Sequence, residues 1–280
     1  MAQPSHAEAP GRSGTTLDQP SPASESRPLR PPLRAMPALG LGAQSLIVVP
    51  TYNERSNLEA LIQAVVSAAP LSHVLVVDDA SPDGTGALAD RLAWQDSRVH
   101  VLHRASKQGL GTAYVAGFRW GLERQYQRFF EMDADFSHDP AQLSRLFAAL
   151  DDGAEVVVGS RNIPGGKISG WGAGRLLLSK GGSAYSRAVL GIAVRDLTTG
   201  YKAFTRSALE RIRLEAVRSN GYAFQIELTF RALSAGLRVV EVPITFVDRR
   251  VGQSKMDQRI FLEAIGVVWR LRFEALSAKR

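Results

Sequence analysis

Leu46-Ile47-Val48-Val49-Pro50-Thr51-Tyr52-Asn53-Glu54 is the stretch from which the fold of this chain can be read. Consecutive apolar residues without helical period, closed by a proline and then by turn-forming polar residues, indicate a strand buried on both faces. The pattern returns at His73-Val74-Leu75-Val76-Val77, Val99-His100-Val101-Leu102, Arg128-Phe129-Phe130 and Val156-Val157-Val158. Between these runs, residues 54–69, 84–95, 110–126 and 140–151 carry apolar positions at helical spacing. Such strand–helix alternation predicts an α/β domain with a mostly parallel sheet flanked by helices. Sheets of this kind bind ligands beyond the carboxyl ends of their strands.

Those ends are where the chemistry lies. Pro50-Thr51-Tyr52-Asn53-Glu54-Arg55 follows the first strand and Asp78-Asp79-Ala80-Ser81-Pro82-Asp83-Gly84-Thr85 the second. Asp133-Ala134-Asp135-Phe136-Ser137-His138-Asp139-Pro140 follows the fourth and Gly159-Ser160-Arg161 the fifth. Local structure explains part of this. Ser81-Pro82-Asp83-Gly84 is turn chemistry, and Asp139-Pro140 is a helix cap followed by proline at the first helical position. It does not explain acidic and aromatic groups at successive strand ends. Residues i and i+2 of an extended segment point to one side, so Asp133 and Asp135 can converge on a hard divalent cation that bridges substrate phosphates. A base edge needs carboxylate acceptors, a ring needs a stacking surface, and a diphosphate needs a metal and an arginine.

The 280 residues suffice for one large domain or two small ones. The chain has no cysteine, which excludes a disulfide framework and a cysteine zinc site. Its net charge of +7 points to an anionic partner: a nucleotide, a phospholipid surface or nucleic acid. A basic, non-catalytic binder of nucleic acid or acidic lipid is the competing class. Several carboxylates in a phosphate-binding groove make sense only with a metal, so no nucleic-acid partner is expected. Hydride transfer is disfavoured too. Gly109-Leu110-Gly111 is read as tight backbone geometry, and no acidic residue is spaced for a cofactor ribose after the first strand–helix turn. Residues 1–40 hold eight of the fourteen prolines. Residues 1–44 are therefore expected to be a disordered extension, lacking the apolar core of a secretory signal.

Pro50-Thr51-Tyr52-Asn53-Glu54, Val77 to Thr85, Gly109-Leu110-Gly111-Thr112-Ala113-Tyr114 and Asp133-Ala134-Asp135 together resemble glycosyltransferase family 2. More narrowly they resemble its dolichol-phosphate (polyprenol-phosphate) mannose synthases. Asp196-Leu197-Thr198-Thr199-Gly200-Tyr201-Lys202, Gly221-Tyr222-Ala223-Phe224-Gln225-Ile226-Glu227 and Phe246 to Lys255 support the narrower match. The resemblance covers residues 45–256, taken as the catalytic domain, and implies a GT-A type, Rossmann-like sheet. It implies GDP-mannose as donor, a polyprenyl phosphate as acceptor, and Mg2+ or Mn2+ held by Asp133 and Asp135. Pro50, Tyr52 and Glu54 would form the guanosine pocket, and Val77 and Asp79 would read base and ribose. Asp133, Ala134 and Asp135 would hold the metal and sugar diphosphate, while Arg161, Arg249 and Lys255 would neutralise phosphate. Asp133, Asp135 and Arg249 are the expected catalytic residues. Where the family often has a Gln, this chain has Ser137, so water is expected to complete the metal shell; His138 is an alternative ligand. Tyr222 and Phe224 are expected in the core or the acceptor groove, and Glu227 as a residue that orients an arginine near the site. UDP-glucose is the alternative donor.

A lipid phosphate monoester has a second pKa near ~6 and is largely dianionic at neutral pH. It needs no base, so direct inverting displacement with electrostatic stabilisation of the leaving diphosphate is expected. Arg175 and Ser179 stand at i and i+4 on one helical face, and in the family such a pair resembles the acceptor-phosphate contacts. No run reaches the ~18–20 apolar residues that span a bilayer. Residues 257–280 are expected to form a basic amphipathic helix, and residues 172–192 a second interfacial element. The protein is therefore expected to be peripheral on the cytoplasmic face of a membrane surface, with a membrane-anchoring partner protein as one means of recruitment.

Overall fold

A computed structural model describes residues 42–248 and 258–277. The expected extension, residues 1–44, therefore lies almost wholly outside the described residues. A sheet in the order β3-β2-β1-β4-β7-β5-β8 forms the centre. Its strands are β1 (Ser45–Thr51), β2 (His73–Asp78), β3 (Val99–His103), β4 (Arg128–Glu131), β5 (Val156–Ser160), β7 (Lys202–Thr205) and β8 (Val239–Pro243). All run parallel except β7, which is antiparallel to both β4 and β5. A small parallel pair, β6 (Lys167–Ser169) with β9 (Thr245–Val247), stands apart from it.

Among the described residues there are eight α-helices, of which the first four match the segments of helical spacing. They are α1 (Arg55–Ala68), α2 (Thr85–Gln95), α3 (Leu110–Glu123), α4 (Leu143–Asp151), α5 (Ala173–Leu190), α6 (Arg206–Ile212), α7 (Gly221–Ser234) and α8 (Gln258–Ser277). The cap expected at Asp139 is present: its Oδ1 accepts from the Ala141 amide at 3.0 Å, and Pro140 opens a 3-10 turn before α4.

The continuous apolar run of β1 is explained by burial on both faces. Ile47 and Val49 face Leu58, Leu61, Ile62 and Val65 of α1. Leu46 and Val48 face the opposite layer, where α3 brings Tyr114 and Phe118. Gly117 permits that approach, because a Cβ there would lie 2.5 Å from Val48 Cγ1. Beyond the β5 side of the sheet, α5, α7 and α8 share a third core that includes Leu190, Ile226, Val268 and Leu271. Both expected amphipathic segments are thus helices, α5 and α8. Among the described residues no helix is long and apolar enough to cross a membrane.

Candidate active site

The carboxyl ends of β1, β2, β4 and β5 border one cavity of about 320 Å³. Pro50, Tyr52, Glu54, Asp79, Asp133, Ala134, Asp135, Arg161 and Arg175 all line it. Two expected residues, Val77 and Ser179, do not line it, and two more fall outside the described residues. Val77 is fully buried in the α3-side core and is absent from the cavity wall, because strand alternation turns its side chain into the sheet's packed face. Ser179 is half-buried one helical turn beyond Arg175 and does not line the cavity. Arg249 and Lys255 lie outside the described residues.

The wall formed by the turns after β1 and β2 is stitched together by hydrogen bonds between them. The Asn53 amide donates to Ser81 Oγ, the Glu54 amide to Thr85 Oγ1 and the Arg55 amide to Asp83 Oδ2. Asp78 is structural, accepting from Thr51 Oγ1 at 3.0 Å and from Ser81 Oγ at 2.6 Å. Asp79 is also heavily committed. Arg104 Nη1 donates to its Oδ1 at 2.6 Å, and the Gln108 and Gly109 amides donate to Oδ2 at 3.1 and 3.2 Å. Asp79 thereby holds the loop that carries Lys107, whose ammonium lies 3.9 Å from the centroid of the Tyr52 ring. Lys107 also lines the cavity. It escaped sequence reading because a lone lysine in a polar loop looks like any solvated charge.

Asp133 and Asp135 follow β4 directly. The Asp133 amide donates to His138 Nδ1 at 3.1 Å, and Tyr114 donates to Asp133 Oδ1 at 3.3 Å. Asp135 Oδ1 accepts the Ser137 amide at 3.0 Å, a bond allowed by the left-handed backbone of Phe136 (φ 60°). His138 does not fit the alternative of a metal ligand through Nδ1, since that lone pair takes the Asp133 amide. Its ring is 1% exposed and stacks 4.8 Å from Tyr201. Burial pushes its pKa down to about 4, so the imidazole is neutral. Among the described residues no third His or acidic side chain joins the two carboxylates. Two hard oxygen donors with open positions suit a small divalent cation that completes its shell with water and substrate phosphates.

The two arginines of the far wall differ. Arg161 is 6% exposed and forms a bidentate pair with Asp196, Nε to Oδ2 and Nη2 to Oδ1, both at 2.7 Å. Burial disfavours both charges, yet each holds the other ionised: the Arg161 pKa is raised and that of Asp196 lowered. Arg161 is therefore a structural tie between β5 and the 196–198 loop. Arg175 donates to Asp248 Oδ1 at 2.8 Å and lies 4.1 Å above the Trp171 ring.

Other expectations separate cleanly. Tyr222 lines the cavity, whereas Phe224 stacks on Tyr114 in the core at 5.9 Å. Glu227 accepts from Arg231 Nε at 2.8 Å and Arg270 Nη2 at 3.1 Å, and neither arginine lines the cavity. Beneath Asp133 lies a polar layer that the sequence did not reveal. Glu131 and Lys202 face each other across β4 and β7, both fully buried. Burial raises the Glu131 pKa to about 7 and lowers that of Lys202 to about 8. Lys202 Nζ donates to Gln225 Oε1 at 2.6 Å and to the Gln225 carbonyl at 2.8 Å.

Comparison with known proteins follows this geometry. The pattern of the family described as Glycosyl transferase family 2 matches residues 46–213. The chain is similar to the polyprenol monophosphomannose synthase of Mycolicibacterium smegmatis, with 54% identity over 82% of this chain and 88% of that protein. It is 51% identical to the undecaprenyl-phosphate mannosyltransferase of Micrococcus luteus over 84% of this chain and 98% of that protein. A dolichol-phosphate mannosyltransferase of Pyrococcus furiosus is 35% identical over 80% of this chain and 62% of that protein. Among solved structures, the glucosyl-3-phosphoglycerate synthase of Mycobacterium tuberculosis, in complex with Mn2+, UDP-glucose and glycerol 3-phosphate, superposes with a TM-score of 0.61. It covers 82% of this chain and 80% of that one at 20% identity, a likeness of fold.

Proposed function

The chain belongs to glycosyl transferase family 2, and within it we propose that the protein transfers mannose from GDP-mannose to a polyprenyl phosphate. The products are GDP and a polyprenyl β-D-mannosyl phosphate, formed in a single inverting displacement. The observation that carries the proposal is the make-up of one cavity. Tyr52, Glu54 and Lys107 stand at a base-binding end, the Asp133-Ala134-Asp135 segment follows, and Arg161 and Arg175 provide cationic walls. Two relatives named for mannosyl transfer to lipid phosphates share about half their residues with this chain.

Asp133 and Asp135 would hold Mg2+ or Mn2+. Bound there, the ion supplies positive charge to the departing diphosphate. The protein's own contribution is placement. Tyr52 offers a stacking face, and Arg175 offers a guanidinium to an acceptor phosphate that is already dianionic near neutral pH. No base is required, which agrees with the neutral, committed state of His138. Pro50 and Glu54 form the base-end wall, and Arg249 and Lys255 remain proposed phosphate contacts.

We place the protein at the cytoplasmic face of a membrane as a peripheral enzyme. Leu177 and Leu178 of α5 are 75% and 42% exposed, and Trp269 and Phe273 of α8 are 46% and 59% exposed. These apolar side chains on basic helices suit a lipid surface or a membrane-anchoring partner. The test is transfer of labelled mannose from GDP-mannose to polyprenyl phosphate, with Mg2+ or Mn2+ or with EDTA, run beside UDP-glucose. Metal-dependent mannosyl lipid is expected. Glucosyl lipid alone would overturn the donor, and retention of most activity by Asp135→Asn with metal bound would overturn the electrostatic account.

A further inference from the structure

Helix α7 delivers to the cavity a polar group that has no task in the reaction as described so far. Gln225 is 2% exposed and lines the cavity. Its Oε1 accepts from the Lys202 ammonium at 2.6 Å. An ammonium has three donors and no acceptor, so the amide has one orientation: oxygen towards Lys202, NH2 away from it. That Nε2 is buried and makes no hydrogen bond among the described residues. The amide also makes a side-chain hydrogen-bonding contact with Glu131, which opposes the rise that burial gives the Glu131 pKa. This contact falls outside normal hydrogen-bond geometry and cannot occupy both N–H groups of the NH2. Leaving a buried amide N–H unpaired is costly.

Gly200 marks the open space beside the NH2. It too lines the cavity, and a methyl built on it would lie 3.5 Å from Gln225 Nε2, 3.5 Å from Asp133 Oδ1 and 3.6 Å from His138 Cε1. The absent side chain leaves a hollow that the amide donor and the first acidic residue of the pair both border. A substrate oxygen in that hollow would satisfy Gln225 beside the carboxylate.

We propose that Gln225 is a substrate contact, its NH2 donating to an oxygen of the reacting groups, with Lys202 the positioning residue that aims it. The oxygen is either a hydroxyl of the transferred hexose or a phosphate oxygen of the acceptor. This rests on the cavity being the nucleotide-sugar site. Lys202 acts through the amide rather than on substrate, and its burial opposite Glu131 fits a fixed support.

Two variants of near-identical size test it. Gln225→Glu retains an acceptor for Lys202 but replaces NH2 with oxygen, and Gln225→Met removes both polar atoms. Gln225→Glu is expected to unfold thermally close to the wild type, and Gln225→Met to melt lower because it strips the buried Lys202 ammonium of its side-chain acceptor. Both are expected to bind GDP with unchanged affinity by calorimetry, while kcat/KM for transfer falls further than the stability loss accounts for. A hexose contact shows as about a 2–10-fold loss in kcat/KM for GDP-mannose, together with altered mannose-to-glucose selectivity. An acceptor-phosphate contact shows as about a 10–100-fold rise in KM for polyprenyl phosphate at constant donor KM. The double variant Lys202→Met with Glu131→Gln should reproduce the same selectivity or KM signature. Wild-type kinetics in both Gln225 variants would overturn the inference, as would losses that merely track lowered thermal stability. A wild-type protein that neither binds GDP nor transfers a sugar would instead remove the functional reading, and this inference with it.

Discussion

Replacing Arg161 with methionine should damage stability and catalysis by separable amounts. The Arg161 and Asp196 side chains are 3% and 0% exposed. Asp196 accepts from Arg161 Nε and Nη2 at 2.7 Å, from the Arg161 amide at 2.9 Å and from the Thr198 amide at 3.3 Å. Arg161→Met removes the countercharge and leaves a carboxylate with two backbone amides and the Thr198 hydroxyl as donors. Breaking a buried pair from one side costs about 3–5 kcal/mol. At about 2–4 °C per kcal/mol for a domain of this size, the melting temperature should fall by about 6–20 °C. Adding Asp196→Asn removes the stranded charge but keeps one acceptor oxygen where two carboxylate oxygens each took an amide, so only part of the loss should return. Activity should not return, because the cavity still lacks its guanidinium. Calorimetry or urea unfolding, paired with transfer assays on the same preparations, reads both quantities. A loss below about 1 kcal/mol in Arg161→Met would refute the stability argument. Restored activity in the double variant would make Arg161 purely structural.

Gly200→Ala places its methyl at ordinary contact distances, 3.5–3.6 Å, and Gly200 does not occupy the left-handed region, so the fold should tolerate it. Its melting temperature should hold while the donor KM rises because the hollow beside Asp133 is filled; unchanged kinetics would show that the hollow is unused. At the opposite end of the sheet, His73 Nδ1 and His100 Nε2 lie 2.9 Å apart, and Tyr126 Oη is 2.7 Å from His73 Nδ1. Burial lowers both imidazole pKa values, assisted by Arg98 for His73 and by the neighbouring ring for His100. As pH falls below about 6.5, the unfolded chain takes up protons that the folded one does not, so stability is lost across that window. The urea midpoint should drop between about pH 7.5 and about pH 5.5, and His73→Phe with His100→Phe should flatten the dependence. An equal drop in the double variant would assign the effect elsewhere.

Much of the architecture is legible in the chain because its signals are local. The four apolar residues 46–49 announce a strand covered on both faces, and the structure divides them as alternation requires. The strand ends point to the site because a parallel sheet collects its carboxyl ends at one edge, so Tyr52, Asp79, Asp133, Asp135 and Arg161 needed no knowledge of side-chain geometry to be grouped.

What escaped the sequence depends on partners distant in the chain. Asp79 looks like a ligand contact until Arg104 is seen bound to it, and Arg161 looks like a free phosphate binder until Asp196 is placed beside it. The reversed strand β7 sets Lys202 opposite Glu131, and α7 carries Gln225 to meet that lysine. No local pattern encodes those meetings. By itself the sequence determined the strand–helix order, the faces each strand buries and the edge at which chemistry collects, since periodicity and burial are properties of neighbouring residues. Only the tertiary structure decided which charged groups are already paired and which buried donor still faces the cavity, because a hydrogen bond depends on where two remote side chains come to rest.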